Sequence, residues 1–411
     1  MKDKIALIAS LDTKLEETLY AKKEIERCGM QAVLIDVSTR FPVDREANIS
    51  SGEILKYSGI GWEEFEPYGK AESIETMSKA LAKALPILYE EKKFDAVISI
   101  GGGQNARMAA FAMKKVPFGV PKIVASSLAC GKRTMEQYVG DKDIFVLHTV
   151  ADISGLNYIT KSIILNVVHS AVGMLEYAEK IPKSSKYKIA ATMLGITTKG
   201  VEGVLKYLSD DLFEKTCFHA NGVGGRCMES LIRAEQFDFV LDMTLHEITG
   251  EVLGGYCSGS TGRLMAAIEK EIPMVVVPGA LDMLDFFIDE EGNGLPPDIE
   301  ERKKVYHNSS IVHTKVKKEE AIKLAEVLAN RLNLAVAPVT LVLPDEGFCE
   351  AAAKGGPMFD EEVDSVFINR ICSLLKPEVK VIHVHGNINS EACQKIVADC
   401  ILSKLGVKEV A

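Results

Sequence analysis

The chain has 411 residues, of which 48 are basic and 58 are acidic, so its formal net charge is −10. This length predicts two domains rather than a single hydrophobic core. An acidic balance argues against a general nucleic-acid binder, which needs a basic surface to neutralise phosphates. A hydrophobic share of 47% and a charged share of 26% exclude a disordered or fibrous chain.

The amino-terminal segment has too short an apolar run for a signal peptide, and no window approaches the roughly 20 uninterrupted apolar residues of a membrane span. The nine cysteines include no C-x-x-C pair, which favours reduced thiols over a disulfide framework. These patterns predict a cytoplasmic protein that does not interact with a membrane.

Short β-branched runs alternate with longer helical patterns in the first half of the chain, which is typical of a parallel sheet with crossover helices. Strands are predicted at residues 5–10, 32–37, 96–101, 122–127 and 144–150. Thr13 and Glu16 stand in capping-box spacing at the start of a helix that ends at Gly29. A long helix over about 162–180 completes this half, and residues 41–80, with the only tryptophan, form an insert.

A polar, proline-bearing segment at 181–187 is the predicted linker, and the pattern of the first half starts again after it. Three segments recur in the same order: KIALIASLDTK returns as KIAATMLGITTK, FDAVIS as FDFVLD, and VPKIVASSLACG as IPMVVVPGALDM. VTLVLP and KVIHVH add further strands. We therefore predict an α/β protein with two doubly wound parallel sheets that arose by internal duplication. The domains span 1–182 and 186–411, and the cleft between them is the default ligand site.

Two glycine-rich loops that follow predicted strands are candidates for anion binding. The first contains Gly101, Gly102 and Gly103, and the second contains Gly222, Gly224, Gly225 and Arg226. Glycines free the backbone to bring N–H groups close to an anion at a helix N-terminus. A tight turn without a ligand explains the first loop equally well. Phosphate or carboxylate binding is favoured for the second, because its arginine adds a fork-shaped donor.

Two equivalent loops, LDTK and ITTK, end the first strand of each half with hydroxyl groups and a lysine. Asp12 is suited to hold a ribose hydroxyl or a magnesium ion, and Lys14 is suited to face a phosphate. Capping of the following helix explains Asp12 and Thr13 equally well. Both interpretations stay open at the level of sequence.

Residues of the types that act as acids, bases or metal ligands follow two predicted strands of the second half. His246 beside Glu247 provides general acid and base groups at a strand end, although a lone histidine is more often structural. Asp282 and Asp285 follow the strand MVVV, where they could bind a metal or act as a base. They could equally cap and charge the start of a helix.

Taken together, these motifs resemble one protein family, in which SLDTK, the GGG loop after AVISI, VPKIVASSLACG, VADISGLN, HANGVGGRCME and PGALDM recur in this order. It is the uncharacterised bacterial and fungal family that is similar to the ATP-binding N-terminal region of a plant tobamovirus resistance protein (the Tm-one-like ATP-binding domain). The resemblance extends from Ile5 to about Leu402, which is nearly the whole chain.

The resemblance implies two Rossmann-like domains, binding of ATP with Mg²⁺, and a homodimer. The matching positions are Asp12, Thr13 and Lys14 in D-T-K, Asp152 and Asn157 in V-D-I-x-G-x-N, Gly222, Gly224, Gly225, Arg226 and Glu229 in the second glycine loop, and Asp282 in G-A-L-D-M. The plant protein's action against viral replication is not carried over to this chain.

The chain departs from the family pattern in loops at strand ends. The usual G-G-S-G-G-T loop ends in GQNA at 103–106, so two flexible glycines and a hydroxyl are lost. The usual H-I-N-D stretch reads NINS at 387–390, which removes a histidine and an aspartate. These changes favour a different substrate, or binding without turnover.

The leading hypothesis is a nucleotide-binding protein that holds ATP with Mg²⁺ and acts on a small acidic or phosphorylated metabolite. In this hypothesis His246, Glu247 and Asp282 are the candidate catalytic residues. One alternative is a nucleotide-free enzyme on a sugar acid or carboxylate, with Arg226 as the anion clamp and His246 or Glu247 as the base. Another is a non-catalytic interaction module. The sequence does not indicate which half holds the nucleotide.

Overall fold

The protein is described by a computed structural model that covers residues 3–43, 45–129, 137–179, 181, 184–258, 260–288 and 294–407. The chain divides into two compact units, unit 1 with residues 1–181 and unit 2 with residues 182–411. Each unit has its own parallel sheet and its own hydrophobic core.

Unit 1 consists of five strands and the helices that connect them in the described ranges. The strands are β1 (Lys4–Ala9), β2 (Gln31–Asp36), β3 (Ala96–Gly101), β4 (Lys122–Ser126) and β5 (Phe145–His148). The helices are α1 (Leu11–Arg27), α2 (Ser51–Lys56), α3 (Trp62–Phe65), α4 (Lys70–Glu90), α5 (Gly103–Met113) and α6 (Tyr158–Glu176). All five predicted strands are confirmed to within two residues, and α2, α3 and α4 lie where the insert is predicted.

The strands of unit 1 are parallel and lie in the order β2-β1-β3-β4-β5. Ile5 and Leu7 pack with α1 and α6, whereas Ala6 and Ile8 pack with α4 and α5. Helices therefore cover both faces, which is why the strands read as continuous apolar runs. The strand order reverses between β1 and β3, and doubly wound sheets bind ligands at such a point.

Helix α6 is long and apolar enough, by length and composition alone, to cross a membrane, with a mean hydropathy of 1.3. A single helix of this kind is weak evidence for a membrane span, because core helices pass the same test. Ile164, Val167 and Val168 are fully buried and pack with residues of β1, β3 and β4. Of the apolar window of α6, 33% is buried, and this buried face packs against the sheet of unit 1.

Unit 2 contains two kinds of sheet. Its strands are β6 (Tyr187–Met193), β7 (Phe213–His219), β8 (Phe239–Asp242), β9 (Met274–Val276), β10 (Met283–Phe287), β11 (Lys304–Asn308), β12 (Ile311–Lys315), β13 (Val339–Pro344) and β14 (Lys380–Val384). Its helices are α7 (Thr198–Lys206), α8 (Gly224–Arg233), α9 (His246–Leu253), α10 (Met265–Glu269), α11 (Lys318–Leu332), α12 (Glu361–Leu374) and α13 (Glu391–Lys404).

Six of these strands form a parallel sheet in the order β14-β13-β9-β8-β6-β7, so unit 2 repeats the doubly wound arrangement. The other three form an antiparallel sheet in the order β10-β12-β11, which the sequence did not predict. The alternative in which Asp282 and Asp285 start a helix is wrong, because Asp285 lies in the middle of β10.

The repeated sequence segments occupy equivalent places in the two parallel sheets. β1 lies between β2 and β3, and β6 lies between β7 and β8. The Lys4 amide donates to Asp95 Oδ2 at 2.8 Å, and the Lys188 amide donates to Asp238 Oδ2 at 2.9 Å. Each aspartate belongs to the repeated FDAVIS or FDFVLD segment. The same sequence repeat therefore makes the same contact, as an internal duplication predicts.

The capping box predicted at Thr13 and Glu16 is wrong. Helix α1 begins directly after Ser10, whose side chain makes no capping hydrogen bond. Lys14 has non-helical backbone angles, φ −132° and ψ 29°, and Thr13 Oγ1 donates back to Ser10 O at 3.3 Å. The LDTK segment therefore forms a separate turn at the end of β1 rather than the regular start of one helix.

Candidate functional site

A pocket of about 460 Å³ lies in unit 1 at the carboxyl ends of β1, β2 and β3. Its volume is within the range of about 300–1,000 Å³ that is typical of small-molecule sites. It lies where the strand order reverses. The lining residues are Ser10, Asp12, Thr13, Lys14, Thr39, Arg40, Glu66, Tyr68, Lys70, Ser73, Gly102, Gly103, Gln104 and Asn105. The fold thus brings the predicted LDTK and GGG loops to one pocket.

The carboxylate of Asp12 is held by the backbone that follows β2. Its Oδ2 atom accepts hydrogen bonds from the Thr39 and Arg40 amides at 3.3 and 3.1 Å. These amides belong to a different loop, so helix capping does not explain the contact. The Oδ1 atom is buried and has no hydrogen-bond partner among the described residues. Such an oxygen gains stabilisation when a hydroxyl group or a cation binds beside it.

Asp36 and Ser38, at the end of β2, fix the LDTK turn. Asp36 Oδ1 accepts the Leu11 amide at 3.1 Å and a short hydrogen bond from the Ser38 hydroxyl. Ser38 Oγ in turn accepts the Asp12 amide at 2.9 Å. Burial raises the pKa of Asp36, against the opposing effect of the Ser38 hydrogen bonds. Sequence reasoning missed both residues, although their position directly after a parallel strand was a usable signal.

The GGG loop leads into α5, whose N-cap residue Gly102 makes no side-chain hydrogen bond. An uncapped helix N-terminus leaves backbone N–H groups available to an anion. A Cβ at Gly101 would lie 2.8 Å from Asn105 Nδ2, and one at Gly103 would lie 2.1 Å from Leu128 Cδ1, whereas one at Gly102 meets nothing within 4 Å. Packing therefore explains the outer two glycines, and Gly102 is the glycine that leaves room beside the pocket.

Asn105 is buried at the pocket wall. Its Nδ2 atom donates to Ser99 Oγ at 2.9 Å, and its Oδ1 atom accepts from Ser10 Oγ at 3.3 Å. The side chain therefore joins the end of β3 to the end of β1. This position of the loop is therefore held by a fixed amide.

Five charged side chains line the pocket. Lys14, Arg40 and Lys70 are positive, and Asp12 and Glu66 are negative. Helix α5 begins at the pocket and has no side-chain cap, whereas the first amides of α1, at Leu11 and Asp12, donate to the Asp36 and Ser38 side chains. A helix N-terminus carries a partial positive charge from its free N–H groups. The excess of cations together with the N-terminus of α5 suits an anionic ligand.

In unit 2 the glycine-rich loop surrounds a carboxylate of the protein itself. Glu247 Oε1 accepts the amides of Gly222 and Gly225 at 2.7 and 3.2 Å. A Cβ at Gly225 would lie 1.7 Å from Glu247 Oε2, and one at Gly224 would lie 2.0 Å from a carbonyl oxygen at the end of β7. Close packing therefore requires these glycines. Phosphate binding by this loop and Arg226 stays a prediction, and it requires Glu247 to release both amides.

Glu247 is also one of three carboxylates around the fully buried guanidinium of Arg263. Arg263 Nη2 lies 2.6 Å from both Asp242 oxygens, and its Nη1 donates to Glu247 Oε2. Glu229 Oε1 lies 4.0 Å from Arg263 Nε. Burial raises the pKa of Asp242 and that of Glu229, against the opposing charge of Arg263. The predicted base Glu247 is thus the partner of a buried arginine that sequence reasoning did not identify.

His246 pairs with Asp285. His246 Nε2 lies 2.7 Å from Asp285 Oδ1, and His246 Nδ1 lies 3.3 Å from Ala280 O. Burial disfavours the charged imidazole, but the negative charge of Asp285 outweighs it and raises the pKa of His246 well above its usual value. Burial likewise opposes ionisation of Asp285, but His246 lowers the pKa of this carboxyl well below its usual range. A catalytic role for His246 stays a prediction.

Asp282 is bound to a buried lysine. Lys315 Nζ lies 2.6 Å from Asp282 Oδ2 and 2.6 Å from Asp364 Oδ1. Burial and the neighbouring charge of Asp282 raise the pKa of Asp364 to about 7. Burial lowers the pKa of Lys315, but the two aspartates outweigh this and raise it above its ordinary value. The predicted catalytic residues thus have different buried partners: Asp285 for His246, Arg263 for Glu247 and Lys315 for Asp282.

The fold and these sites define an α/β protein with two doubly wound parallel sheets and a polar pocket at the switch point of the first. The N-terminal and C-terminal domains of one protein family both match this chain, and together they cover nearly all of it. The chain belongs to the uncharacterised protein family UPF0261, whose N-terminal domain matches residues 3–180 and whose C-terminal domain matches residues 186–405. This confirms the family that the motifs indicated, while ATP binding remains a prediction.

A UPF0261 protein of Clostridium tetani is 35% identical over 393 residues, which is 95% of this chain and 96% of that relative. The ToMV resistance protein Tm-1(GCR237) of Solanum lycopersicum is 30% identical over 412 residues, 93% of this chain and 54% of the tomato protein. The chain thus spans about half the length of the tomato protein. Among solved structures, Acinetobacter baumannii MurG covers 98% of this chain and 100% of its own, with 12% identity and a TM-score of 0.24. A structural likeness at that level carries no functional argument.

Proposed function

We propose that unit 1 binds ATP with Mg²⁺ in the pocket at the ends of β1, β2 and β3. The single observation that carries the proposal is the convergence of the LDTK turn and the uncapped N-terminus of α5 at the point where the strand order reverses. This is the location at which doubly wound sheets take nucleotides and phosphates.

The residues present fit the proposed ligand. Lys14, Arg40 and the N-terminus of α5 would contact the phosphates, because each offers positive charge or free N–H groups. The unpartnered Oδ1 atom of Asp12 would bind Mg²⁺ or a ribose hydroxyl. The aromatic ring of Tyr68 lines the same pocket and offers a surface for a base.

The contrast between the two units favours unit 1 as the nucleotide site. At the equivalent point of unit 2, Thr197 Oγ1 and Thr244 Oγ1 lie 2.8 Å apart and are buried. The adjacent glycine-loop amides donate to Glu247. A ligand in unit 2 would have to displace these internal contacts, whereas the pocket of unit 1 is open.

Isothermal titration of the full chain with ATP, with and without Mg²⁺, tests this proposal. Lys14→Ala should weaken binding by about tenfold or more, because a charge-assisted contact is worth about 1.5–3 kcal/mol. Lys199→Ala is the matched control, since Lys199 holds the equivalent place in the ITTK loop of unit 2. Asp12→Asn should remove most of the dependence on Mg²⁺. The proposal fails if no nucleotide gives heat, or if the two lysine variants weaken binding equally.

The nucleotide-free alternative uses the same pocket for a sugar acid or another carboxylate. A thermal-shift screen of nucleotides beside sugar acids distinguishes the two, because a ligand at about 100 times its Kd adds about 2.7 kcal/mol to stability. A shift with an organic acid alone, lost in Lys14→Ala, would favour the alternative. A cytoplasmic location and a homodimer remain part of the proposal, and light scattering of the purified chain tests the dimer.

A further inference from the structure

Four side chains with metal-binding atoms converge in unit 2. They are His246, Cys257, Asp285 and His313. Asp285 Oδ1 lies 2.7 Å from His246 Nε2 and 3.6 Å from His313 Nδ1, and Asp285 Oδ2 lies 3.5 Å from Cys257 Sγ. The ligand atoms of His246, Cys257 and Asp285 all lie within 4.8 Å of one another.

Three of these atoms are buried and face one another, and none has a further hydrogen-bond partner among the described residues. They are His246 Nε2, Asp285 Oδ1 and His313 Nδ1. Buried polar atoms normally each have a hydrogen-bond partner, whereas here one carboxylate oxygen, Asp285 Oδ1, is shared by His246 Nε2 at 2.7 Å and His313 Nδ1 at 3.6 Å. A cation between them would satisfy all three at once.

The set of donors matches the ligand chemistry of zinc. Zn²⁺ takes four ligands from histidine nitrogen, cysteine sulfur and carboxylate oxygen at about 2.0–2.3 Å, which places neighbouring ligand atoms about 3–4 Å apart. The distances of Asp285 to His313 and Cys257 are already in this range, whereas His246 Nε2 lies 2.7 Å from Asp285 Oδ1, a direct contact that the ion would replace. Ionised Cys257 and Asp285 would together balance the charge of the ion.

The four side chains of this cluster come from elements that are distant in sequence. Asp285 of β10 and His313 of β12 are direct cross-strand partners. Gly255 allows the loop carrying Cys257 to approach, because a Cβ there would lie 2.6 Å from Asp285 O. His246 is the first residue of α9, and its Nδ1 atom faces Ala280 O, a contact that leaves Nε2 as the ligand atom.

We propose that His246, Cys257, Asp285 and His313 bind one Zn²⁺ ion, as a closed structural site of unit 2. The side chains of His246 and Asp285 are 1% and 5% exposed, which leaves no room for a substrate beside the ion. The side chain of His313 is 12% exposed and its ring lies 5.2 Å from that of the exposed His307, so His313 is the proposed ligand nearest to solvent. In this assignment His246 is a ligand rather than a general base.

The test is metal binding by the full chain after chelator treatment. Purified protein is loaded with Zn²⁺, freed of excess metal by gel filtration and analysed for zinc content, and a parallel sample is titrated with Co²⁺. We expect one equivalent of zinc and, with Co²⁺, the visible absorption of tetrahedral cobalt with a thiolate charge-transfer band. Cys257→Ser should abolish the charge-transfer band, and His313→Ala should weaken zinc affinity by at least about tenfold.

Cys372→Ser is the matched control, because Cys372 Sγ lies 4.0 Å from His383 Nε2 in an exposed cysteine–histidine pair. It should leave zinc content and the cobalt spectrum unchanged. The proposal is overturned if the wild-type chain retains no zinc. It is also overturned if Cys257→Ser and His313→Ala keep the same zinc content as the wild type, or if Cys372→Ser loses as much zinc as they do. Circular dichroism of each variant checks that it is folded. If Cys257→Ser does not fold, His313→Ala still tests the site, because the His313 side chain is 12% exposed and its loss perturbs packing less. None of these outcomes depends on ATP binding by unit 1.

Discussion

Lys315 Nζ lies 2.6 Å from Asp282 Oδ2, and both side chains are only 3% exposed. The same ammonium group lies 2.6 Å from Asp364, so one buried cation holds two buried carboxylates together. A buried charge that loses its partner is costly, because neither water nor another ion replaces the contact. This triad therefore makes the stability of unit 2 sensitive to each of its members.

Replacing Lys315 by methionine should lower the free energy of unfolding by about 3–5 kcal/mol, because two carboxylates remain buried without a counter-charge. Urea denaturation followed by circular dichroism measures this. Lys318→Met is the control, since Lys318 pairs with Glu362 in a bridge whose side chains are 45% and 71% exposed. Loss of such an exposed pair should cost less than about 1 kcal/mol. Equal effects of the two variants would contradict the buried triad.

The contribution of Asp364 to the stability of unit 2 should fall as pH rises from about 4 to about 7. Burial beside Asp282 raises the pKa of Asp364 from 3.8 to about 7 in the folded state. In this window the unfolded chain has released a proton that the folded chain keeps, so folding becomes less favourable as pH rises.

The Asp364→Asn variant removes this titration and isolates its contribution. Between pH of about 5 and about 8, we expect the wild-type chain to lose more unfolding free energy than the variant, by on the order of 1 kcal/mol or more. Denaturation curves at both pH values measure the difference. Parallel losses in the two proteins would show that Asp364 titrates normally.

Two glycine-to-alanine changes should have opposite effects. At Gly225 an added Cβ would lie 1.7 Å from Glu247 Oε2 and 2.7 Å from Arg263 Cδ. Overpacking of this kind costs about 1–3 kcal/mol or more, and here it also separates a buried ion pair. At Gly173, within α6, an added Cβ meets nothing within 4 Å, so Gly173→Ala should stabilise the helix by about 0.5–1 kcal/mol. Thermal unfolding of both variants tests the two signs.

Much of the fold could be predicted because its signals are local. The apolar runs of β1 and β3 are buried on both faces, and such strands read as continuous hydrophobic segments. The repeated FDAVIS and FDFVLD segments predicted equivalent strands, and Asp95 and Asp238 make equivalent contacts in the two units. The antiparallel sheet was missed because DMLDFF, with Asp282 and Asp285 three residues apart, fits the start of a helix as well as a strand.

The candidate sites were predicted less completely, because burial and pairing are not local. The LDTK and GGG loops both follow parallel strands, and that rule alone placed them at one edge of a sheet. No residue near the HANGVGG segment indicated that the backbone amides of this segment would donate to Glu247. Arg263 and Lys315 carry no motif, and only their complete burial among carboxylates marks them.

By itself the sequence determined the family, the two doubly wound sheets and the strand ends at which polar side chains gather, because hydrophobic periodicity and glycine-rich turns act over a few residues. Only the tertiary structure decided which of those polar groups face a pocket and which face one another. Asp12 and Glu247 both follow a strand of a parallel sheet. One is left with an unpartnered oxygen beside an open pocket, and the other is enclosed by glycine amides and Arg263. The physical reason is that the free energy of a buried charge depends on partners that lie far away along the chain.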